Sequence, residues 1–214
     1  MWAGLRAALG EPAFARLLAV FAANGIAAAI PSATVLFFVA DVLQAEALAG
    51  AFLALYFLAA AAGLPVWTRL SQRVGKLRAW LAGMALAVAV FAWAGLLGSG
   101  DLVAYACICV LSGLALGADL ALPPSLLADV VGRHGRMEST GAYFGLWTLA
   151  TKLNLALAAG LALPLLAWLG YAPGTRGADP LAALAFVYAA VPCLLKAAAA
   201  LALVRFDARW RSAA

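Results

Sequence analysis

Charge is scarce in this sequence. Only 11% of its 214 residues are Asp, Glu, Lys or Arg, against about a quarter in soluble domains, and the mean hydropathy is +1.03. A water-soluble fold is excluded. Cysteine is almost as rare: Cys107, Cys109 and Cys193 all fall in apolar runs, where a small hydrophobe is the ordinary role. Neither a disulfide framework nor a metal-ligand spacing is present. The single histidine, His134, lies in a loop between Arg133 and Arg136, and no metal and no cofactor are expected. Strict alternation of apolar and polar residues, the mark of an outer-membrane barrel, is missing, because the apolar segments are apolar on every face. The stretch from Met1 to Arg6 carries little charge and is followed by Glu11 and Pro12. It does not read as a cleaved signal peptide, and the first apolar span is expected to be retained.

What the sequence has is apolar length. Runs of about 18 residues or more recur throughout, each long enough as a helix to cross a hydrocarbon layer about 30 Å thick. Glycine, proline and charge divide them into six predicted helices, at about 13–41, 46–71, 78–98, 102–130, 138–169 and 181–205. The fold class expected is an all-α integral membrane protein, a six-transmembrane-helix bundle forming one domain.

The charges sort by loop. Asp41, Glu46, Asp101 and Asp179, with Arg176 as the one basic residue, fall at one set of helix ends. Arg6, Arg16, Arg69, Arg73, Lys76, Arg78, Arg133, Arg136, Arg205, Arg209 and Arg211 fall at the other. The positive-inside rule then places both termini in the cytoplasm of a cell whose inner (plasma) membrane holds the chain. The net charge of +5 follows the bilayer and is no sign of nucleic-acid binding.

Five of the six predicted helices contain an internal proline: Pro31, Pro65, the pair Pro123 and Pro124, Pro164, and Pro192. Each removes a backbone hydrogen bond, which is tolerated where neighbouring helices or a watery path satisfy the freed carbonyls. A moving, cavity-lining bundle fits this; so does the general frequency of proline in membrane helices. Gly113 and Gly117 have a spacing that lets helices approach closely.

Function is expected where lipid-facing helices cannot keep their residues. Lys152 lies about 20 Å or more from either surface, beyond the reach of snorkelling, and Asp119 sits at the same depth. An ion pair between them is geometrically open, either lining a solute or ion path or fixing helix packing. Around Lys152, Thr148 and Thr151 share its face, with Trp147 and Asn154 on the flank. Asn24 and Ser32 lie on one side of the first helix, and Tyr188, Pro192 and Lys196 form a stripe on the sixth. Lys196, about 12 Å from the cytoplasmic end, either snorkels or faces a cavity. Asp129, at the end of the fourth helix, is placed to pair with Arg73 or Arg78, as a state-dependent latch or as a solvated helix-end carboxylate.

The run Gly63-Leu-Pro-Val-Trp67-Thr-Arg69-Leu-Ser-Gln72-Arg73-Val-Gly75-Lys76-Leu-Arg78-Ala-Trp80 resembles the second-to-third helix loop in the C-terminal half of the glycoside-pentoside-hexuronide:cation symporters. These form the melibiose-permease branch of the major facilitator superfamily. Pro123-Pro124-Ser125-Leu-Leu-Ala-Asp129, then Gly141-Ala-Tyr143-Phe144-Gly145-Leu-Trp147, Lys152-Leu153 and Gly170-Tyr171, are similar to that family's tenth and eleventh helices. Gln72 stands where the superfamily loop has an Asp. The resemblance implies that Lys152 belongs to the central cavity and that Arg73, Lys76, Arg78 and Asp129 form a cytoplasmic gating region. It also implies that the carboxylates binding the coupling cation lie in a first half not present here.

The expectation is therefore a half-size secondary transporter subunit working by alternating access, in a homodimer or with a separate N-terminal-half chain, unless the sequence is a fragment of a longer product. It would carry a small polar solute, alone or coupled to a proton or cation. The alternative is a non-transporting membrane scaffold or assembly protein with a half-transporter fold. An enzyme is not expected, since no cluster of His, Ser or carboxylates converges.

Overall fold

The computed structural model describes residue 6, residues 8–133 and residues 140–212, with side chains up to Arg205. His134, Arg136 and the expected start of the fifth helix at Glu138 lie outside the described residues, as do the side chains of Arg209 and Arg211.

Every regular element among the described residues is helical, and six helices are long and apolar enough to cross a membrane. They are α1 (Pro12–Val42), α2 (Glu46–Val74), α3 (Lys76–Ala94), α4 (Leu102–Arg133), α5 (Thr140–Trp168) and α6 (Ala178–Arg205, continuing to Ser212). Pro12 opens α1 at a position whose backbone N–H would have no partner within the helix anyway. Gly75 separates α2 from α3 with φ of 90°, a left-handed conformation that a side chain would resist. The third helix stops at Ala94, four residues short of the predicted end, because Gly95, Gly98 and Gly100 follow closely and Asp101 accepts from the Gly98 N–H at 2.8 Å.

Two helices carry a π-turn, Phe38–Val42 in α1 and Phe186–Ala190 in α6. They lie side by side. Phe38 stacks on Tyr188 with ring centroids 4.2 Å apart, and the Tyr188 and Tyr105 hydroxyls share a hydrogen bond of 2.8 Å.

Without a hydrophobic drive between helices in lipid, close packing has to come from small residues. At the α2–α4 contact a Cβ on Gly113 would stand 2.2 Å from the Tyr56 carbonyl oxygen, and one on Gly117 2.9 Å from that of Ala60. Trp67 closes the same contact by donating its Nε1–H to the Leu114 carbonyl at 2.6 Å.

The apolar core comes in two pieces. One gathers Phe38, Tyr105, Ile108, Leu166, Leu184 and Tyr188 toward the acidic ends of the helices. The other gathers Phe14, Leu17, Trp80, Met84, Leu127 and Tyr143 toward the basic ends. Between them, along α1, α4, α5 and α6, run the polar residues Asn24, Asp119, Asn154 and Lys196. The lateral surface is also uneven: 22% of the apolar span is buried in α2 and in α5, against 44% in α1, α3 and α4.

Candidate functional site

The polar layer between the two core pieces is held by one carboxylate. Asp119 on α4 accepts Lys196 Nζ from α6 on Oδ2 at 2.7 Å, and Asn24 Nδ2 from α1 on Oδ1 at 3.0 Å. Trp80 Nε1 on α3 donates to the same Oδ1 at 2.7 Å. Lys196 donates in turn to Asn24 Oδ1 at 2.7 Å, closing a ring of three residues. A buried charge is tolerated only when paired and hydrogen-bonded, and this ring supplies both. The Lys196 and Asp119 side chains are 8% and 13% exposed, so water contributes little to their solvation.

The sequence left an ion pair between Asp119 and Lys152 open; the structure pairs Asp119 with Lys196 instead. α4 packs against α2 and α3, and α6 packs against α1 and α3, so the Asp119 carboxylate and the Lys196 stem meet beside the α1 and α3 faces. α5 packs chiefly on α1, and Lys152 is exposed, with no hydrogen bond or ion pair among the described residues. Of the two roles open to Lys196, the buried one is observed.

Asp119 and Lys196 form part of the wall of a cavity of about 580 Å³ that all six helices help to line. Most of the wall is apolar, including Phe21, Phe52, Phe57 and Phe91, with Tyr56, Ser112, Thr151, Asn154 and Tyr188 among its polar groups. Ser32 and Pro192 also reach it, so the expected α6 stripe of Tyr188, Pro192 and Lys196 faces one space.

The remaining α5 residues divide. Asn154 is buried against Gly25, and with its amide nitrogen turned inward it donates to the Ala150 and Ala22 carbonyls at 3.2 and 3.3 Å. Trp147 is buried and stacks on Phe21 with centroids 3.8 Å apart, bracing the polar layer from the basic side. Thr148 and Thr151 return their hydroxyls to the Phe144 and Trp147 carbonyls, both at 2.9 Å, and both are exposed on the chain's surface.

At the basic end the pairing also differs from expectation. Asp129 is held by Lys76, whose Nζ lies 2.7 Å from both carboxylate oxygens and 3.3 Å from the Ser125 carbonyl. Arg73 and Arg78 are exposed instead. The turn at Gly75 makes Lys76 the first residue of α3 and aims it at the end of α4, whereas Arg73 belongs to the last turn of α2.

At the acidic end the sequence showed Asp41 only as a loop charge. It is buried: Oδ2 accepts the Tyr171 hydroxyl at 2.5 Å and the Gly174 N–H at 3.0 Å, and Arg176 Nη1 donates to its carbonyl at 3.2 Å. The α1 end is thereby fastened to the α5–α6 loop. Burial, and then the contact with Asp41, push the Tyr171 hydroxyl above its usual range.

The sequence hides Trp80 and Tyr56 for a plain reason. Each sits in an apolar run, and an aromatic there reads as core whether or not its polar atom has a partner. A Trp a few residues from a mid-helix acid in depth was the only signal.

A family model described as MFS/sugar transport protein matches residues 1–208. No curated protein is significantly similar to the chain.

Proposed function

Because the chain belongs to the MFS/sugar transport protein family, we propose that it is a half-size secondary transporter of the melibiose-permease branch. It moves a polar solute by alternating access after pairing with a second six-helix half. The observation carrying this reading is the cavity of about 580 Å³ with a buried ion pair in its wall. An ammonium has three donors, and Lys196 gives two to Asn24 and Asp119, leaving one for an acceptor on a solute in the cavity it lines. Asp119 lines the same cavity beside Lys196, and a buried carboxylate there fits symport with a proton or cation. By the charge distribution, both termini face the cytoplasm and the membrane is the inner (plasma) membrane.

The test is solute flux into proteoliposomes holding the chain with whatever half co-purifies with it. Flux is expected to be lost in Lys196→Met while the helical signal and assembly persist. Unchanged flux would remove the pair from the transport path. The closed ring around Asp119 is also what a static packing device would show, and that favours one rival, a scaffold with a half-transporter fold. The scaffold predicts no flux of any solute, together with sensitivity to changes on the exposed α2 and α5 faces.

A further inference from the structure

The wall of the cavity carries no net charge. Of the described residues that line it, only Asp119 and Lys196 are charged, and they neutralise each other at 2.7 Å. A charged solute would find no free counter-charge there. Drawing either group to itself would strand the other in a low-dielectric layer. The solute that fits is uncharged where it meets these helices.

The hydrogen-bond donors of the wall are nearly all spent inside the protein. Ser32, Ser112 and Thr151 give their hydroxyl hydrogens to carbonyls of their own helices, at 3.1, 3.4 and 2.9 Å. Asn154 turns its amide to the Ala150 and Ala22 carbonyls. The Tyr105 and Tyr188 hydroxyls bond each other, and these two residues are only 1% and 3% exposed. What remains for a solute is the third hydrogen of Lys196 and the Tyr56 hydroxyl, which has no hydrogen bond among the described residues. The rest of the wall is carbon, with the rings of Phe21, Phe52, Phe57 and Phe91 turned to one space. A free sugar carries a hydroxyl on almost every carbon and would press most of them against carbon, where a polar group without a partner is costly. A body made of rings gains from the same surface, because aromatic walls pack best against flat apolar groups.

We infer that the solute lodged against these helices is an uncharged, lipophilic, ring-bearing molecule with one hydrogen-bond acceptor, such as a ketone or ether oxygen, which the Lys196 ammonium holds. This rests on the reading of the cavity as the solute path, and it gives the polar solute of that reading a single polar end. Free sugars, which the family's description names, fall outside the class, as do organic anions.

The experiment is photolabelling of the full chain in nanodiscs, together with whatever half co-purifies, by benzophenone itself, an uncharged two-ring ketone that inserts at its own carbonyl. Labelled peptides are identified by mass spectrometry. Insertion is expected beside Lys196, at Pro192 or Cys193 on α6 or between Leu116 and Leu120 on α4, and it should saturate. Four compounds then compete, at equal concentration in the bilayer: phenylcyclohexanone, cyclohexylbenzene, phenylcyclohexanecarboxylate and methyl galactoside. The ketone is expected to displace the label. The hydrocarbon and the carboxylate should be weaker by about tenfold or more, the worth of a hydrogen bond to a charged donor, and the galactoside should displace nothing. In the double variant Lys196→Met, Asp119→Asn, which removes the donor without stranding a charge, labelling at these positions is expected to fall by about tenfold.

Displacement by the galactoside or the carboxylate that matches the ketone, at acidic or neutral pH, overturns the class and leaves the cavity a solute site. Equal displacement by cyclohexylbenzene overturns the acceptor and the role given to Lys196. Labelling that no competitor displaces, or that falls only outside the cavity, overturns the inference as a whole, while solute flux into proteoliposomes reads the transport proposal on its own.

Discussion

Asp119 and Lys196 stand 77 residues apart in the sequence and 2.7 Å apart in the structure, joined across α4 and α6. Removing one partner of such a pair strands the other charge in a low-dielectric layer, whereas removing both does not. Lys196→Met is therefore expected to destabilise the purified protein by about 3 kcal/mol, and Asp119→Asn by a similar amount. The double variant should recover more than half of the loss. Denaturation in detergent, run as a double-mutant cycle, reads this directly; additive losses would show that the two groups do not interact.

The glycine contact between α2 and α4 should tolerate no growth. In Gly113→Ala the new methyl meets a backbone oxygen, which cannot turn aside as a flexible side chain would. A loss of about 1–3 kcal/mol is expected, read as a lower melting temperature. Gly160→Ala, where nothing lies within 4 Å, serves as the control and should change little.

Tyr171 gives the fold an alkaline limit. Its hydroxyl is held above the usual value of 10.0, so the unfolded chain loses that proton first as pH rises. The contribution is complete below pH 10.0 and disappears as the pH climbs toward the folded value. Tyr171→Phe should cost about 1 kcal/mol at neutral pH through the lost hydrogen bond to Asp41. It should also flatten the alkaline decline in stability, measured by melting across a pH series.

The Lys76–Asp129 pair should behave as a surface contact. Its side chains are 34% and 43% exposed, so solvent screens the attraction. Asp129→Asn is expected to change stability by less than about 1 kcal/mol, and by still less at high salt. A larger effect on flux than on stability would mark the pair as a latch that one transport state makes and another breaks.

The helices and the separation of charges by end were legible because membrane-spanning length and basic-residue asymmetry are written locally. Pairings were not. The depth of Asp119 could be counted along α4, but Lys152 and Lys196 offered two cations, and only the packing of α6 beside α3 chooses Lys196. In the same way Lys76, Arg73 and Arg78 are neighbours in sequence, and the turn at Gly75 decides which one meets Asp129. Asp41 was hidden by its π-turn, which adds a residue to the helical period and points inward a side chain that its position near a loop would leave in water. Asn24, Asn154 and Tyr188 stand out in the sequence because polar atoms in an apolar helix need partners, whatever those partners are.

At Gly113, Gly117 and Gly63 the α2–α4 joint is made of backbone against backbone, with no intervening side chains whose rotamers could exchange. Shear between packed helices is absorbed by such exchanges. If the chain works by alternating access, this stretch of the two helices would move as one piece, held on either side by the Trp67–Leu114 bond and the Phe52–Tyr105 contact. In such a cycle rearrangement would fall to the joints of α1 with α5 and α6, where long side chains such as Phe21, Trp147, Phe38 and Tyr188 form the contact.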